Sequence, residues 1–465
     1  MAIRVWCVLM LAAASAAAHA QEPKLLLRAA FDGDCALEPA GKGAAVAAGF
    51  VESRDGQAVK ASESGKHACT IPLRGVSPDE GTLMFWFRTD AATPAQGERT
   101  VRHNPVRVEA GLGPAVSLQQ GWNQARMSGS NPWNRSARGP GAVYSHLVAG
   151  KWYHVAYTWK KAGNDVCVWL FGLPQSDTLG KWGEAETTDE PWADVLRVGC
   201  ATGAVDDLRI YDRAMTGEQI MVAGEYKDGE CMYDEGKILF GTVLDAEPLK
   251  GRLLAEETFD GPWEPNWVLE GPGILTMEDG RLRMREGDNH IVLWHRQTFP
   301  KDFVAEWEFT PNEVAGLCIV FFCASGRGGE DLFDPALQKR DGTFKLYHSG
   351  DLNCYHISYF RNTCARSPNC ALRKNWGFYR ASCGYDVIPL ETGVTSKMTL
   401  VKRGAHIQLA INGHVSIDWV DDGVSRGPVW GAGKIGLRQM MTTDGYYDNF
   451  RVWAVRAEQE PRGEG

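Results

Sequence analysis

The sequence predicts an all-β protein built from two consecutive antiparallel β-sandwich domains. The 465 residues include 52 glycines, and short apolar runs alternate with clusters of Gly, Asn, Asp and Pro. This pattern is typical of strands joined by tight turns. No long segment has the apolar period of a helix. A third observation, an order of strand-like segments that recurs in the two halves, predicts two domains of the same kind.

The strongest local signal is a hairpin near residue 412. Ile407, Leu409 and Ile411 alternate with polar neighbours, and Asn412 and Gly413 separate this run from the next alternating run. Both turn residues tolerate positive φ, so the dipeptide predicts a two-residue hairpin. Strict alternation also predicts a sheet with one buried face.

The two halves open and close with similar segments. The first half opens with Phe31–Gly33 and closes with Asp206–Tyr211, and the second opens with Phe259–Gly261 and closes with Asp448–Trp453. We expect the opening and closing strands of each half to pair side by side, because the segments then mark the ends of two complete sandwiches.

The N-terminus is typical of a secretory signal peptide. Arg4 precedes the apolar run Val5–Ala18, and small residues at 18 and 20 provide a cleavage site. The run is shorter than the roughly 20 residues that a membrane span needs. We therefore expect cleavage after Ala20, a secreted or periplasmic protein, and no membrane span. The predicted organisation is a signal peptide over 1–20, sandwiches over 24–223 and 252–455, a linker over 224–251 and a polar tail over 456–465.

Composition restricts the ligand classes. The formal net charge of −9 argues against nucleic-acid binding, which needs clustered basic side chains. Seventeen Trp residues leave room for some sugar-stacking platforms beside those of the core. Of the 12 Cys residues, Cys364 and Cys370 bracket a short loop and are the first candidates for a disulfide. No Cys-x-x-Cys pair with zinc-ligand partners appears.

Two families resemble the two halves. Residues 24–223 resemble the laminin-G-like (concanavalin A-like lectin/glucanase) superfamily through "GTLMFWFR", "KWYHVAYTW" and "VDDLRIYDRAMTGEQI". Residues 252–455 resemble the bacterial YesU-like proteins through "GEDLFDP", "YHSGDLN", "HISYFR", "INGHVSIDWVDDG" and "GKIGLRQM". The resemblances imply concanavalin-like (jelly-roll) sandwiches and an association with pectin use, and they leave the reaction open.

Chemically versatile residues concentrate between Gly326 and Arg380. The candidate catalytic residues are His348, His356 and Tyr359, and the candidate substrate-binding residues are Glu330, Asp334, Asp351, Asn353, Arg361, Arg373 and Lys374. On a strand, His356 would share one face with Ser358, while Tyr359 and Arg361 would share the other. The alternative is an ordered polar loop in which Asp and Asn cap turns.

The charge of this segment suggests an acidic ligand. Five basic residues and no acidic one lie between Arg361 and Arg380. Guanidinium and ammonium groups bind the carboxylates of uronates, and Arg binds them bidentately. The alternative is a solvated basic surface. The predicted partner is therefore an acidic, pectin-like polysaccharide or oligosaccharide.

Three chemistries remain open at this segment. A polysaccharide lyase would use His356 or Tyr359 as base and place cationic side chains near the uronate carboxylate. A glycoside hydrolase would need two carboxylates, for which Glu306 and Glu308 form a weak short motif. His348, Asp351 and His356 could bind a metal, although we assign no metal ligands and leave only a structural calcium ion open. The alternative to an enzyme is a non-catalytic, lectin-like binding or adhesion protein.

Overall fold

The computed structural model describes residues 22–39, 41–64, 66–95, 97–108, 110–122, 124–134, 138–144, 147–176, 188–226, 243–285, 289–363, 366–424, 426–440 and 442–456. The predicted signal peptide, most of the linker and nearly all of the tail lie outside these residues. They stay predictions, as do the exact domain boundaries. We call residues 22–226 the first half and residues 243–456 the second half.

The first half consists of short strands and one helix. The strands are β1 (Leu25–Ala29), β2 (Ala36–Leu37), β3 (Gly41–Lys42), β4 (Ala44–Ala45), β5 (Ala48–Glu52), β6 (Gln57–Ala61), β7 (Cys69–Pro72), β8 (Glu80–Thr89), β9 (Val101–Val108), β10 (Val116–Gln120), β11 (Ala125–Ser130), β12 (Arg138–Tyr144), β13 (Trp152–Lys160), β14 (Asp165–Leu170), β15 (Leu173–Ser176), β16 (Val195–Val198) and β17 (Gly203–Tyr211). Helix α1 (Gly217–Gly224) follows, and Thr216 and Gln219 form a capping box at its start.

The second half also consists mainly of strands. Its strands are β18 (Lys250–Glu257), β19 (Trp267–Glu270), β20 (Ile274–Glu278), β21 (Arg281–Arg285), β22 (Ile291–His295), β23 (Phe303–Pro311), β24 (Cys318–Gly326), β25 (Leu352–Tyr359), β26 (Asn369–Asn375), β27 (Tyr379–Tyr385), β28 (Ser396–Arg403), β29 (His406–Ile411), β30 (His414–Val420), β31 (Lys434–Gln439) and β32 (Asp444–Val455). A 3-10 turn, Glu247–Leu249, precedes β18, and the short helix α2 (Lys345–His348) lies between β24 and β25.

Each half forms two large antiparallel sheets that pack face to face, and β2 and β3 form an additional two-stranded sheet in the first half. In the first half the sheet orders are β15-β14-β13-β8-β17-β6-β5, with β1 beside β17, and β12-β11-β10-β9-β16-β7-β4. In the second half they are β20-β21-β32-β23-β28-β29-β30, with β18 beside β32, and β19-β22-β31-β24-β25-β26-β27. Within the described residues, every sheet draws its strands from one half. The all-β, two-sandwich fold class is confirmed.

The similar segments that open and close the two halves occupy equivalent backbone positions. Strand β1 pairs with β17, and β18 pairs with β32, so the opening strand of each half lies beside its closing strand as expected. Phe31 and Phe259, at the openings, have φ values of 61° and 52°, and Asp207 and Asn449, near the closings, have 42° and 50°. Positive φ is uncommon outside glycine. The shared turns therefore explain why these two segments recur in the sequence.

The cores account for most of the Trp, Tyr and Phe residues. Trp86 and Trp159 pack in the first half, and Trp267 and Trp307 pack between the sheets of the second half. Cys370 is a buried thiol on β26, and its proposed partner Cys364 lies outside the described residues. None of the described helices is long and apolar enough to cross a membrane.

Buried histidines make the stability of the fold depend on pH. Burial lowers the pKa of His154 to about 3 and the pKa of His295 to about 4. In the unfolded chain a histidine titrates near about 6.5. As the pH falls below that value, the unfolded state takes up protons that the folded state does not bind. The free energy of unfolding contributed by each ring therefore falls by about 2 kcal/mol between pH 7 and pH 5.

Between pH 7 and pH 5, we expect the free energy of unfolding of His154→Gln to fall by about 2 kcal/mol less than that of the wild type, because the buried ring is gone. Asp206 acts in the opposite direction, because burial raises its pKa to about 6, so the comparison must be made between variants. Chemical unfolding of the wild type and His154→Gln at pH 7 and pH 5 measures the difference. The exposed His414→Gln is the matched control. An equal loss of stability in all three proteins would contradict the prediction.

Candidate functional site

The candidate site lies on the outer face of the second sheet of the second half. On β25, Tyr355, Ile357 and Tyr359 point into the core between the sheets. Cys354 belongs to a separate apolar cluster on the opposite side, and His356 alternates with the core residues in the same way. His356 is in register with Arg373 of β26. The pairing of β25 with β26 therefore brings one predicted catalytic residue beside one predicted substrate-binding residue.

The loop between β24 and β25 covers this face and adds a second histidine. His348, at the end of α2, has its ring centroid 4.2 Å from that of Phe378. The ring of His356 stacks on the same phenyl group at 5.8 Å. The guanidinium carbon of Arg373 lies 3.7 Å from the centroid of Phe378. Two histidines and an arginine thus surround one aromatic ring.

Three further arginines lie around this centre. Arg361 Nη1 and Arg380 Nη2 both donate to Asn369 Oδ1, at 2.6 and 3.2 Å. Arg438 donates through Nη1 to the carbonyl oxygen of Gly342, at 3.0 Å. We call the set of six basic residues the cationic cluster. Its members are His348, His356, Arg361, Arg373, Arg380 and Arg438.

The positive charge of the cationic cluster is buried and incompletely paired. Arg373, Arg380 and Arg438 are 5%, 2% and 0% exposed. Nε and Nη1 of Arg380, and Nε and Nη2 of Arg438, are buried donors without a partner in the part of the chain that the structure describes. The nearby carboxyl group of Asp386 accepts hydrogen bonds from the backbone N–H groups of Phe360 and Ile388 instead. Unpaired buried guanidinium groups are costly unless a ligand anion meets them.

The same burial keeps both histidines neutral near pH 7. Desolvation and the charge of Arg373 lower the pKa of His348 to about 4, and they lower the pKa of His356 well below its usual range. The side-chain amide of Asn375 donates to Nδ1 of His356, at 2.8 Å, which leaves the proton of the neutral ring on Nε2. His348 is less deeply buried, and its Nδ1 lies 2.6 Å from Ser349 Oγ. Of the two rings, His348 is the better placed to accept a proton from a ligand.

Two of the predicted site residues lie on the other side of the sheet, which corrects the expectation for them. Lys374 points into the core, where its Nζ lies 2.7 Å from Asp421 Oδ2, because alternation on β26 sends it away from Arg373. Tyr359 is fully buried in the same core and accepts a hydrogen bond from Trp307 Nε1, at 3.3 Å. Burial raises its pKa well above the usual range. Tyr359 is therefore unsuited to act as a base, and Lys374 is unavailable to a ligand.

The predicted acidic and amide residues stabilise the covering loop. Glu330 accepts the backbone N–H of Gly328, and Asp334 accepts that of Ala336. Asp351 accepts the backbone N–H of Gln338, and Asn353 donates to the carbonyl oxygen of Arg327. These contacts match the alternative interpretation, in which Asp and Asn side chains cap turns. The loop positions His348 rather than supplying carboxylates to the cationic cluster.

The hydrolase and metal hypotheses gain no support from the geometry. Glu306 lies on the other sheet, with Oε2 2.9 Å from Lys250 Nζ and 3.0 Å from Lys397 Nζ. Its neighbour Glu308 accepts a hydrogen bond from the side chain of Asn449. Among the described residues, no group of three or more His, Cys, Asp or Glu is placed to hold a metal ion.

Several residues of the candidate site were not predicted from the sequence. Phe344 stacks edge-on against His348, at 4.7 Å, and lies under the guanidinium group of Arg438, at 4.6 Å. Arg438 lies more than fifty residues beyond the basic run, inside an ordinary-looking strand. Gln124 of the first half accepts a hydrogen bond from Arg373 Nη1, at 3.1 Å. Strand alternation could have indicated Arg438, whereas nothing in the sequence indicates Gln124.

Comparison with known proteins assigns the second half. Residues 252–452 match the family model described as "Domain of unknown function (DUF1961)". The uncharacterized protein YesU of Bacillus subtilis (strain 168) is 38% identical over 234 residues, which cover 49% of this chain and 97% of YesU. The chain belongs to the YesU family. Residues 63–221 match a second model, the concanavalin A-like lectin/glucanases superfamily.

Two solved structures from Bacillus subtilis are similar to part of this chain. A protein of unknown function with a galectin-like fold is 38% identical, with a TM-score of 0.43 over 44% of this chain and 97% of that one. The carbohydrate-binding module CBM66 is 14% identical, with a TM-score of 0.29 over 41% of this chain and 96% of the module. In this member of the YesU family, a second sandwich precedes the family domain and contacts its cationic cluster through Gln124.

Proposed function

We propose that this protein binds an acidic, pectin-like oligosaccharide at the cationic cluster, outside the cytoplasm. The observation that carries the proposal is the convergence of two neutral histidines and Arg373 around Phe378. Arg361, Arg380 and Arg438 lie close by, and all of these arginines except the half-buried Arg361 are buried. Among the described residues, no carboxylate forms an ion pair with any of these four arginines. A uronate carboxylate would supply the missing anion and could accept two parallel guanidinium hydrogen bonds.

The aromatic residues favour a sugar over a simple anion. Phe378 lies between both histidines and Arg373 and is half-buried, and Trp376 beside it is also partly exposed. Saccharide sites combine apolar faces with a few fixed polar groups, because a sugar has both an apolar face and charged or hydroxyl groups. The match of the first half to a lectin and glucanase superfamily agrees with a carbohydrate ligand.

Cleavage by β-elimination is the enzymatic form of the proposal. His348, neutral near pH 7, would take the proton from the carbon next to the uronate carboxylate. Guanidinium groups would stabilise the negative charge that develops on the carboxylate. That electron pair then forms a carbon–carbon double bond while the glycosidic carbon–oxygen bond breaks, and the departing oxygen takes a proton from water. The alternative is a lectin that uses the same contacts without turnover.

A panel of polysaccharides tests the proposal. Polygalacturonate oligosaccharides are expected to bind the full chain in calorimetry, whereas neutral arabinan and galactan fragments are not. Affinity should fall as the salt concentration rises, because the attraction is partly electrostatic. A lyase would in addition produce an unsaturated sugar that absorbs ultraviolet light. Binding of neutral and acidic fragments with equal affinity would contradict the proposal, and preference for sulfated glycans would redirect it to sulfate esters.

Arg373→Gln is expected to weaken binding of the acidic oligosaccharide by roughly 1.5 to 3 kcal/mol, the scale of a charge-assisted hydrogen bond. Arg361→Ala should act in the same direction. Calorimetric titration measures both, and circular dichroism checks that the variants fold. Arg285→Gln, on the exposed surface of β21, is the matched control and should bind as the wild type does. Unchanged affinity in both cluster variants would remove the cationic cluster from recognition.

A further inference from the structure

We infer that the first half forms part of the saccharide site, with Trp122 and Tyr379 making a stacking subsite beside the cationic cluster. An oligosaccharide longer than the cationic cluster would then lie across both halves of the chain. The inference rests on the proposed function and adds to it a second subsite, contributed by a domain that the YesU match does not require.

The contact between the halves lies directly at the cationic cluster. Arg373 uses one nitrogen, Nη1, both for the side-chain oxygen of Gln124, at 3.1 Å, and for the carbonyl oxygen of Phe378, at 2.8 Å. Gln124 belongs to the turn between β10 and β11. A first-half residue therefore helps to orient the guanidinium group that we assign to the sugar carboxylate.

A second contact fixes the two halves from the other side of the cationic cluster. The amide nitrogen of Asn369 donates to the carbonyl oxygens of Pro174 and Gln175, at 3.1 and 2.7 Å. The amide oxygen of the same residue accepts hydrogen bonds from Arg361 and Arg380. Asn369 is fully buried. One side chain thus links the backbone of β15 to two arginines of the proposed site, so the halves cannot separate there without disturbing it.

Aromatic side chains extend from this contact towards solvent. The indole ring of Trp122 meets the ring of Tyr379 edge-to-face, with centroids 5.5 Å apart. Both residues are partly exposed. Tyr379 lies between Phe378 and Arg380 in the chain, so the aromatic pair adjoins the cationic cluster. The guanidinium group of Arg426 lies over the ring of Tyr379, 4.3 Å from its centroid, so Tyr379 supports the pair and Trp122 provides the larger stacking surface. A partly exposed Trp ring offers an apolar face with little conformational freedom to lose, which suits stacking against a sugar ring.

The size of the ligand distinguishes a subsite from an interface contact. A short oligosaccharide occupies the cationic cluster alone, so its affinity does not depend on a neighbouring stacking position. A longer one gains the additional contact. If Trp122 had only a structural role, its loss would instead displace Gln124 and weaken the binding of ligands of every length.

The test uses the full chain and two probes, digalacturonate and a galacturonate hexamer. We expect Trp122→Ala to weaken hexamer binding by about tenfold, the scale of one lost aromatic contact, and to leave dimer binding unchanged. Tyr379→Ala should give the same pattern. Trp152→Ala is the matched control, since this half-buried tryptophan packs against Arg88 within the first half. Thermal melting verifies that each variant folds, and Trp122→Phe serves if the alanine variant does not.

Each outcome has a distinct meaning. Equal weakening of dimer and hexamer, or no weakening of either, would overturn the stacking subsite while leaving the proposed function standing. A wild-type protein that binds neither probe would refute the proposed function and the subsite together. Loss confined to the hexamer supports the subsite.

Discussion

Replacing Lys374 by alanine is expected to destabilise the protein by about 3 to 5 kcal/mol. The side chains of Lys374 and Asp421 are each 1% exposed and are joined by an ion pair of 2.7 Å. Lys374 Nζ also donates to the carbonyl oxygen of Gly427, and the hydroxyl of Tyr355 donates to Asp421. Without the ammonium group, the carboxylate would remain buried with hydrogen bonds but no counter-charge. That uncompensated charge is the physical reason for the large effect.

Chemical unfolding of Lys374→Ala, Asp421→Asn and the double variant measures the coupling between the two groups. We expect the double variant to lose less than the sum of the single variants, because the two charges are then removed together. The matched control is Lys397→Ala. Its ammonium group pairs with Glu306 but is 50% exposed, so it should cost no more than about 1 kcal/mol. A loss below about 1 kcal/mol for Lys374→Ala would show that the buried pair is not needed for stability.

The sandwich fold could be predicted because its signals are local. The alternation around Ile407 and the turn at Asn412 and Gly413 appear as β29, β30 and the turn between them, with Asn412 at a φ of 51°. The repeated openings at Phe31 and Phe259 correspond to equivalent backbone turns. Such features depend on residues close together in the chain, so the sequence contains the information needed to recognise them.

The cationic cluster could be predicted only in part, because it depends on strand register and on one irregular residue. Simple alternation would place Arg361 on the face of Tyr359. Phe360 has a φ of 49°, and the chain turns there, so the guanidinium group reaches Asn369 instead. Conversely, alternation on β26 would have separated Arg373 from Lys374, had that segment been recognised as a strand. The basic run suggested three cooperating cations where the structure provides Arg361 and Arg373 without Lys374.

The covering loop shows that residue type alone does not identify a site residue. Its acids were predicted to bind substrate because their residue types are common in saccharide sites, yet Asp334 and Asp351 accept backbone N–H groups of the loop itself. A residue type reports what chemistry is available, whereas burial and partners decide whether it is free for a ligand. His348 passes that test better than Tyr359 does, since it is partly exposed at the end of α2 and neutral near pH 7.

Replacing His348 by alanine is expected to reduce cleavage of polygalacturonate by roughly 10²- to 10⁴-fold, the usual contribution of a general base. Binding of the same oligosaccharide should change little, because the arginines that meet the carboxylate remain. The pH dependence provides a second measurement. With a pKa of about 4, His348 stays unprotonated down to mildly acidic pH, so turnover should fall only as the pH approaches that value.

The matched control is His406→Ala. This histidine lies on the other sheet, paired with Asp418, so its loss should leave both cleavage and binding unchanged. His356→Ala gives the informative comparison within the cationic cluster. Its Nδ1 accepts the amide of Asn375, so we expect it to orient the ligand through Nε2, and its loss should weaken binding more than the loss of His348 does. Full cleavage by His348→Ala would exclude the ring as the base, and a wild type that binds without any product would assign the cationic cluster to a lectin.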